Sequence, residues 1–302
     1  MATRSFRVEA IDYATGLAEL RTVRETVFVH EQRVPLEEEW DALDPLCNHV
    51  IARDEAGAPI GTGRLTPERR IGRMAVLAEW RGQGVGDAML DALVAEARKL
   101  GWPVVSLSAQ VSAEAFYARQ GFIPEGERFM EAGIEHQSMR RVLAGSTAVE
   151  DLSGAIAATT AVVTRARRQL RIYSRELDPG LLDNAAVLGA LRRFSTGNSG
   201  GGIRILLQDA AAAQHTLAPL LTLAQRLPSV FAFREVREPV DKAYASAFIA
   251  NDVGGYYFRT LGHRFDGETD LDGAGRARQL RDEFDRFWER ARPCTEFRAL
   301  GI

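Results

Sequence analysis

Hydrophobic and polar positions follow two alternating periods along the chain. Short apolar runs typical of strands are separated by longer segments whose apolar residues recur every three or four positions, as on one face of a helix. In the front half this pattern predicts strands at 6–10, 49–53, 60–65, 73–77, 104–109 and 136–142. It predicts helices at 17–29, after Pro35, at 84–100 and from about 112 to 121. The helix at 84–100 has the clearest apolar face, which comprises Val85, Met89, Leu93, Ala97 and Leu100.

The rear half repeats the strand and helix alternation. We predict helices at 149–168, 181–194 and 215–226, strands at 170–174, 203–208, 230–234, 248–251 and 256–259, a loop at 195–202, and a closing helix. Between the halves, residues 144–147 are small and polar, as in a linker. The pattern predicts a mixed α/β (α+β) protein with two domains, 1–144 and 149–302, each long enough to bury a core.

One turn of the front half carries candidate chemistry. The strand at 73–77 leads into the helix at 84–100 through Arg81, Gly82, Gln83, Gly84, Val85 and Gly86. Glycine allows unusual backbone angles and close approach of a ligand, and the first turn of a helix presents free N–H groups. Such a turn is suited to a phosphate, although an isolated glycine-rich turn is more often only a turn.

A second motif gives this turn a context. Phe116 and Tyr117 are followed by Gly121 and Phe122 on the short helix predicted from 112. With Arg81, Gly84 and Gly86, these residues resemble the GNAT superfamily of acetyl-CoA-dependent N-acetyltransferases, in which the phosphate loop reads Arg/Gln-x-x-Gly-x-Gly/Ala. The resemblance covers about residues 5–143. The segment 27–35, followed by Glu39, Asp41, Asp44 and His49, and the segment 131–136 are similar to the bacterial ElaA-like and YjcF-like subgroup.

The resemblance implies a splayed GNAT sheet and an acyl donor, acetyl-CoA. The N–H groups from Gln83 to Gly86 would hold the pyrophosphate, and the strand residues Met74, Ala75 and Val76 would run along the pantetheine. The two strands that separate would be those of Met74 and Val105. The other implied cofactor-binding residues are Arg81, Gly82, Val85, Ser112 and Phe116. Tyr117 would give a proton to the departing thiolate, since a phenol is protonated at neutral pH; the alternative is that it only packs in the core.

The general base and the acceptor site are open at this stage. Glu31, His49 and His136 lie in the segments that match the subgroup, and each could accept a proton directly or through water; each could equally be structural. The acidic segment around Trp40, with Glu39 and Asp41, is either a solvated helix face or an electrostatic trap for a cationic amine. The resemblance implies a small-molecule or protein amine as the acceptor, and the trap, if it exists, would select a cationic one.

Charge and composition narrow the classes of partner that the chain is expected to bind. The front 145 residues hold 17 basic and 22 acidic side chains (−5), and the remainder hold 21 and 19 (+2). Neither half is basic enough to indicate nucleic acid as the main partner. No apolar run is long enough to span a bilayer, residues 1–16 lack a signal core, and Cys47 and Cys294 form no disulfide framework. We expect a cytoplasmic protein without a metal.

The rear half faintly resembles one half of the phospholipase D fold, whose motif is His-x-Lys-x-x-x-x-Asp. With Asp252 as the aspartate, Ala245 and Ala247 occupy the histidine and lysine positions; with Lys242 as the lysine, Val240 and Ala247 occupy those of histidine and aspartate. The resemblance thus implies a catalytically dead domain for regulation, binding or oligomerisation.

Three functional hypotheses follow from the two halves. The first is an N-acetyltransferase that acts by direct attack of a primary amine on the thioester. The second is a non-catalytic acyl-CoA sensor whose rear domain signals to a partner. In the third, the rear domain binds a phosphate ligand through Arg204, Arg234 or Arg259. Apolar residues on the opening and closing rear helices are expected to pack within the domain, against the front domain or across a homodimer; they are Ala155, Val162, Val163, Phe284, Phe287 and Trp288.

Overall fold

The computed structural model describes residues 5–197, 202–212 and 218–297. The strands, in chain order, are β1 (Phe6–Ile11), β2 (Asn48–Asp54), β3 (Pro59–Leu65), β4 (Ile71–Val76), β5 (Val104–Gln110), β6 (Ile123–Pro124), β7 (Phe129–Glu131), β8 (Ile134–Val142), β9 (Thr147–Val149), β10 (Gln169–Ser174), β11 (Gly202–Leu207), β12 (Phe231–Glu235), β13 (Ala247–Asn251), β14 (Tyr256–Arg259), β15 (Gly267–Asp270) and β16 (Arg292–Pro293). The α-helices are α1 (Tyr13–Arg24), α2 (Leu36–Glu39), α3 (Val85–Lys99), α4 (Glu114–Arg119), α5 (Leu152–Arg165), α6 (Ala185–Gly197), α7 (Ala218–Arg226), α8 (Pro239–Lys242) and α9 (Ala274–Arg290).

The chain forms two compact units. The first comprises Met1–Val111 and Gly126–Ala144, and the second comprises Ser112–Glu125 and Gly145–Ile302. The segment that carries α4 is thus grouped with the rear half, because α4 and β6 pack on α5. The proposed linker at 144–147 coincides with the point where the second unit resumes.

The first unit contains an antiparallel sheet in the order β1-β2-β3-β4 and a separate antiparallel pair, β5 and β8, extended by β7. Strands β4 and β5 approach only near their starts, where the Ser106 N–H donates to the Arg69 carbonyl at 3.0 Å and Arg70 forms a parallel bridge with Ser106. Within the described part of this unit, no ladder continues between them toward Val76 and Gln110. The predicted separation of these two strands is confirmed.

Helix α3 buries the apolar face that the sequence predicts for it, with the exception of one residue. Val85, Met89, Leu93 and Ala97 are buried, together with Leu90 and Val94. Leu100 is 46% exposed, so the prediction that it belongs to this face was wrong. The helix ends at Lys99, and Gly101 follows at φ +70°, which turns the chain away from the helix axis.

The second unit is built on an eight-stranded sheet in the order β16-β12-β11-β10-β13-β14-β15-β9. The central strands β10, β11 and β12 are parallel, and β13 lies antiparallel to β10. Helix α9 covers the sheet with Phe284 and Trp288, and Phe287 packs beside them, so the closing helix packs within this unit. This confirms the mixed α/β class; the likeness to phospholipase D stays a prediction.

Several rear elements differ from the predicted bounds. The opening helix begins at Leu152 rather than 149, because Val149 belongs to β9 and the Asp151 carboxylate caps the helix by accepting from the Gly154 N–H at 2.8 Å. Residues 195–197 of the predicted loop complete α6, and 198–201 lie outside the described residues. The first residues of the helix predicted at 215–226 also lie outside them.

Candidate functional site

The glycine loop before α3 has an open surface. Gly82 and Gly84 adopt φ +72° and +87°, a left-handed region that residues with a Cβ rarely occupy. A Cβ at either position would meet no atom within 4 Å, so the backbone there faces open space. Gly84 is the N-cap of α3 and provides no capping side chain, which leaves the N–H groups of the first turn for a ligand. An anion can approach this turn closely.

Arg81 holds this loop in place. Its Nε donates to the Val76 carbonyl at 2.9 Å, and its two terminal nitrogens donate to the Glu31 carboxylate at 2.7 and 2.6 Å. These contacts join the loop to the end of β4 and to the π-helical segment Glu25–Glu31. The guanidinium of Arg81 thus positions the loop, and the implied role of Arg81 in cofactor binding stays a prediction.

Glu31 is correspondingly a weak candidate for the general base. The hydrogen bond from Arg81 lowers the pKa of its carboxyl group below the ordinary value. A carboxylate that holds its proton less firmly is a poorer proton acceptor. The structure thus supports the anchoring role for Glu31.

Strand β4 carries a β-bulge at the position predicted to lie along the pantetheine. Its register with β3 shifts between Thr62 and Arg64, and Arg73 has φ +50°, an unfavourable angle for a non-glycine residue. Gly63 lies opposite the bulge, where a Cβ would come within 2.6 Å of the Met74 sulfur. A side chain at position 63 would therefore have to displace the Met74 side chain. The Arg73 guanidinium holds the bulge, since its Nε donates to the Glu39 carbonyl at 3.0 Å.

A buried network of charged side chains lies behind this bulge. Arg24 is fully buried and donates to the Glu39 carboxylate and to both oxygens of Asp44, at 2.8 and 3.2 Å. Arg64 donates to Asp44 at 2.7 Å and to Asp41 at 2.9 Å. The network joins residues from α1, α2, β3 and the loop after α2.

This network overturns both interpretations of the acidic segment at Glu39. Glu39 is 1% exposed and paired with Arg24 and Arg73, so it neither forms a solvated face nor attracts a distant cation. Asp41 is partly exposed, but it is paired with Arg64. Burial is the largest single effect on the pKa of both Glu39 and Asp44. At Glu39 burial raises the pKa above its ordinary value. At Asp44 the hydrogen bonds from Arg24 and Arg64 together outweigh burial and hold the pKa below its ordinary value.

His49 belongs to the same network. Its ring is 3% exposed, lies 5.3 Å from the Tyr13 ring, and its Nε2 is 2.8 Å from the Asp44 carbonyl. A carbonyl only accepts, so Nε2 carries the proton in this contact. Burial lowers the pKa of the imidazole, which keeps it neutral. These contacts give His49 a structural role, and the prediction of a general base at this position is revised.

His136 lies beside one of the two separated strands. It is on β8, paired in register with Gln110 at the end of β5, and its ring stacks on Phe129 at 5.9 Å. Its Nδ1 is 2.9 Å from the Ile134 carbonyl, which assigns the proton to Nδ1 and the lone pair to Nε2. This is the tautomer that a base acting through Nε2 requires.

Helix α4, in the second unit, carries the other predicted catalytic residue. Tyr117 is 9% exposed and makes edge contacts with Phe116 and Phe122 at ring separations of 4.9 and 6.0 Å. Burial raises the pKa of its phenol to about 12, so the hydroxyl is protonated at neutral pH and able to donate. Ser112 is exposed just before this helix. The roles of Ser112, Phe116 and Tyr117 toward a cofactor stay predictions.

The residues that sequence reasoning missed are the three arginines of the network, Arg24, Arg64 and Arg73. A signal was present at Arg24, because it lies on the helix face that also carries Leu20 and Val27, both buried. A charged residue at an apolar position indicates a buried partner.

Asp252 has a structural role in the second unit. Its two carboxylate oxygens accept from the backbone N–H groups of Arg167 and Arg168, both at 2.9 Å. The loss of phosphodiester chemistry in this domain stays a prediction from the sequence. We expect no hydrolysis of bis(p-nitrophenyl) phosphate above the uncatalysed rate, measured by absorbance; turnover that survives exhaustive purification would contradict a dead domain.

Two kinds of feature are absent from the described residues. No helix among them has the length and apolar character needed to cross a bilayer. Within the same residues, no group of three or more histidine, cysteine, aspartate or glutamate side chains has the arrangement of a metal site.

Comparison with known proteins matches each half to a family. Residues 18–143 match the family model described as Acetyltransferase (GNAT) domain, and residues 151–300 match a Domain of unknown function (DUF7931). The protein named Uncharacterized N-acetyltransferase YjcF, from Bacillus subtilis, is 38% identical over 123 residues, which are 39% of this chain and 87% of that protein.

Two solved structures are similar to the same part of the chain. An acyl-CoA N-acyltransferase from Pseudomonas aeruginosa is 32% identical and covers 46% of this chain and 100% of its own, with a TM-score of 0.42. Escherichia coli ElaA is 26% identical and covers 45% and 99%, with a TM-score of 0.40. The family model and the YjcF relative, together with the open glycine loop and the separated strands, show that this chain belongs to the GNAT acetyltransferase family and is an acyl-CoA-dependent N-acyltransferase.

Proposed function

We propose that the chain transfers an acetyl group from acetyl-CoA to a primary amine. The observation that carries the proposal is the gap between β4 and β5, which opens toward the same end of β4 as the glycine loop. A thioester donor that carries phosphate groups needs two features, a groove for its extended chain and a site for its phosphates. The first unit supplies them on adjoining segments.

The glycine loop and strand β4 would bind different portions of the acyl donor. The N–H groups from Gln83 to Gly86 would hold the pyrophosphate at the N-terminus of α3. Strand β4 has β3 on one side only, so its amides on the other side can pair with the amide groups of the pantetheine as an added strand does. The bulge at Arg73 and Met74 would turn one of these amides toward the thioester oxygen, where an N–H donor stabilises the developing negative charge.

The chemical step moves two protons and exchanges one bond. The amine nitrogen attacks the thioester carbonyl carbon, and the carbon–sulfur bond breaks as the tetrahedral intermediate collapses. The attacking nitrogen loses a proton to Nε2 of His136, directly or through a water molecule. The departing thiolate takes up a proton, for which the resemblance implies the Tyr117 hydroxyl as the donor. The acceptor is proposed only as a primary amine, because Glu39 and Asp41 are paired with arginines and give no argument for a cationic one.

The donor site is tested by Gly86→Trp. Gly86 lies in the first turn of α3 without a positive φ, so the substitution causes no backbone strain there. Acetyl-CoA and CoA are expected to raise the melting temperature of the natural protein, as ligands of a native state do, and Gly86→Trp is expected to abolish the rise by filling the phosphate position. Differential scanning fluorimetry measures both.

The control for this test is Gly101→Asn at the other end of α3. Asparagine tolerates the positive φ of that position, and no atom would contact its Cβ within 4 Å. This variant should keep the full shift. An equal shift in Gly86→Trp would place the donor elsewhere and reject the assignment.

A further inference from the structure

A cavity of about 520 Å³ lies in the second unit where α5 and α6 both end. Three arginines line it: Arg167 and Arg168 in the turn after α5, and Arg193 in the last turns of α6. The Thr164 hydroxyl adds a polar group, and Val163, Ala190 and Phe194 contribute apolar surface. No aspartate or glutamate is among the described residues that line the cavity.

The side chains of these three arginines have no partner within the described part of the chain. None of them forms a side-chain hydrogen bond or an ion pair there, and each is exposed. The arginines that the sequence suggested for a phosphate differ in this respect. Arg259 is buried against Asp178, and Arg234 donates to the Trp288 carbonyl at 2.6 Å. Arg204 shares Asp285 with Arg171.

The charge around the cavity is unbalanced. The Asp252 carboxylate contacts the turn that carries Arg167 and Arg168, but it accepts from their backbone N–H groups rather than from a guanidinium. Guanidinium groups around a concave surface focus a positive potential, and their planar N–H groups bind phosphate and carboxylate oxygens in pairs. The apolar side chains beside them can cover a hydrocarbon or aromatic portion of a ligand.

We propose that this cavity binds a small soluble anion that carries a phosphate group and an apolar portion. The arginines have one alternative use, which is to complement the negative C-terminal ends of α5 and α6. The two uses have different consequences. Charges that complement helix ends contribute to folding stability, whereas charges that bind a ligand contribute to affinity and to its salt dependence.

Phenyl phosphate is the probe, titrated calorimetrically into the full chain with CoA present to occupy the glycine loop. Arg168→Gln and Arg193→Gln should each weaken its binding about tenfold, since a charge-assisted hydrogen bond is lost. Arg192→Gln is the matched control, because Arg192 is next to Arg193 on α6 and outside this cavity; its affinity should equal that of the natural protein. Raising the ionic strength to about 0.5 M should weaken binding.

Four results would overturn the proposal. The first is no detectable binding of phenyl phosphate at about 10 mM, which is weaker than any physiological affinity of this class. The second is equal binding of phenol, which would reduce the cavity to an apolar pocket. In the third, Arg193→Gln lowers the melting temperature and leaves the affinity unchanged, so the arginines serve the helix ends. The fourth is binding of vesicles containing phosphatidic acid in place of phenyl phosphate, which would identify a membrane headgroup instead of a soluble ligand.

Discussion

Replacing Tyr117 with phenylalanine is expected to lower kcat by about ten- to a thousandfold and to leave KM for acetyl-CoA nearly unchanged. The substitution removes only the hydroxyl, and the ring keeps its contacts with Phe116 and Phe122. With the pKa of its phenol near 12, this residue is a donor throughout the physiological range. The loss should therefore fall on the step in which the thiolate leaves.

Release of free thiol from acetyl-CoA measures this effect, with Tyr13→Phe as the control. Tyr13 also presents a phenol, but it lies against His49 in the charged network. Full activity in Tyr117→Phe would assign Tyr117 to the core of the second unit. A rise in KM that matches the fall in kcat would show that the hydroxyl serves binding rather than proton transfer.

Replacing Asp44 with asparagine is expected to lower the free energy of unfolding by about 3–5 kcal/mol. Asp44 is fully buried and accepts from Arg24 and Arg64, so the substitution leaves two guanidinium groups in the core with less counter-charge. Urea denaturation measures the loss. Glu37→Gln, at an exposed position of α2, should stay within about 0.5 kcal/mol of the natural protein.

The effect of Asp44→Asn has a defined pH dependence. The folded state lowers the pKa of Asp44, so the stability that its charge contributes is present above the ordinary aspartate pKa of about 4 and is lost as pH falls through the lower folded value. The difference between Asp44→Asn and the natural protein should therefore narrow below about pH 4. A difference that is small at pH 7, or that does not change in acid, would contradict the assigned role of this carboxylate.

The sequence predicts the donor half of the site better than the acceptor half. The glycine loop and α3 follow from a local pattern, a glycine turn between a strand and a helix. The separation of β4 from β5 follows from the family resemblance that the two motifs carry. The network of Arg24, Glu39 and Arg73 depends on three distant segments meeting in the folded unit. Charge patterns along the chain show the acidic residues but not their partners, which is why Glu39 was interpreted as a surface charge.

Short strands are also difficult to predict from the sequence, because they depend on neighbours that are distant along the chain. Strands β9 and β15 each have only a few residues, and β15, which reads Gly-Glu-Thr-Asp, has no apolar alternation to reveal it. It forms because the edge of β14 offers unpaired backbone groups, and β9 then pairs with β15.

The helix predicted at 17–29 divides into two parts for another reason. Its second part is π-helical from Glu25, a geometry often found at functional sites, and periodicity does not distinguish it from an α-helix.

The central claim is acetyl transfer to a primary amine, and the most direct test is a panel of amines with acetyl-CoA, scored by free thiol and by mass spectrometry of the product. The panel should include neutral amino compounds, polyamines and peptides with free amino groups. We expect at least one amine to gain 42 Da with release of one thiol per product, and Gly86→Trp to lose this turnover. If acetyl-CoA raises the melting temperature but no amine is acetylated, or if Gly86→Trp acetylates as the natural protein does, the claim is contradicted, and in the first case the chain acts as an acyl-CoA sensor.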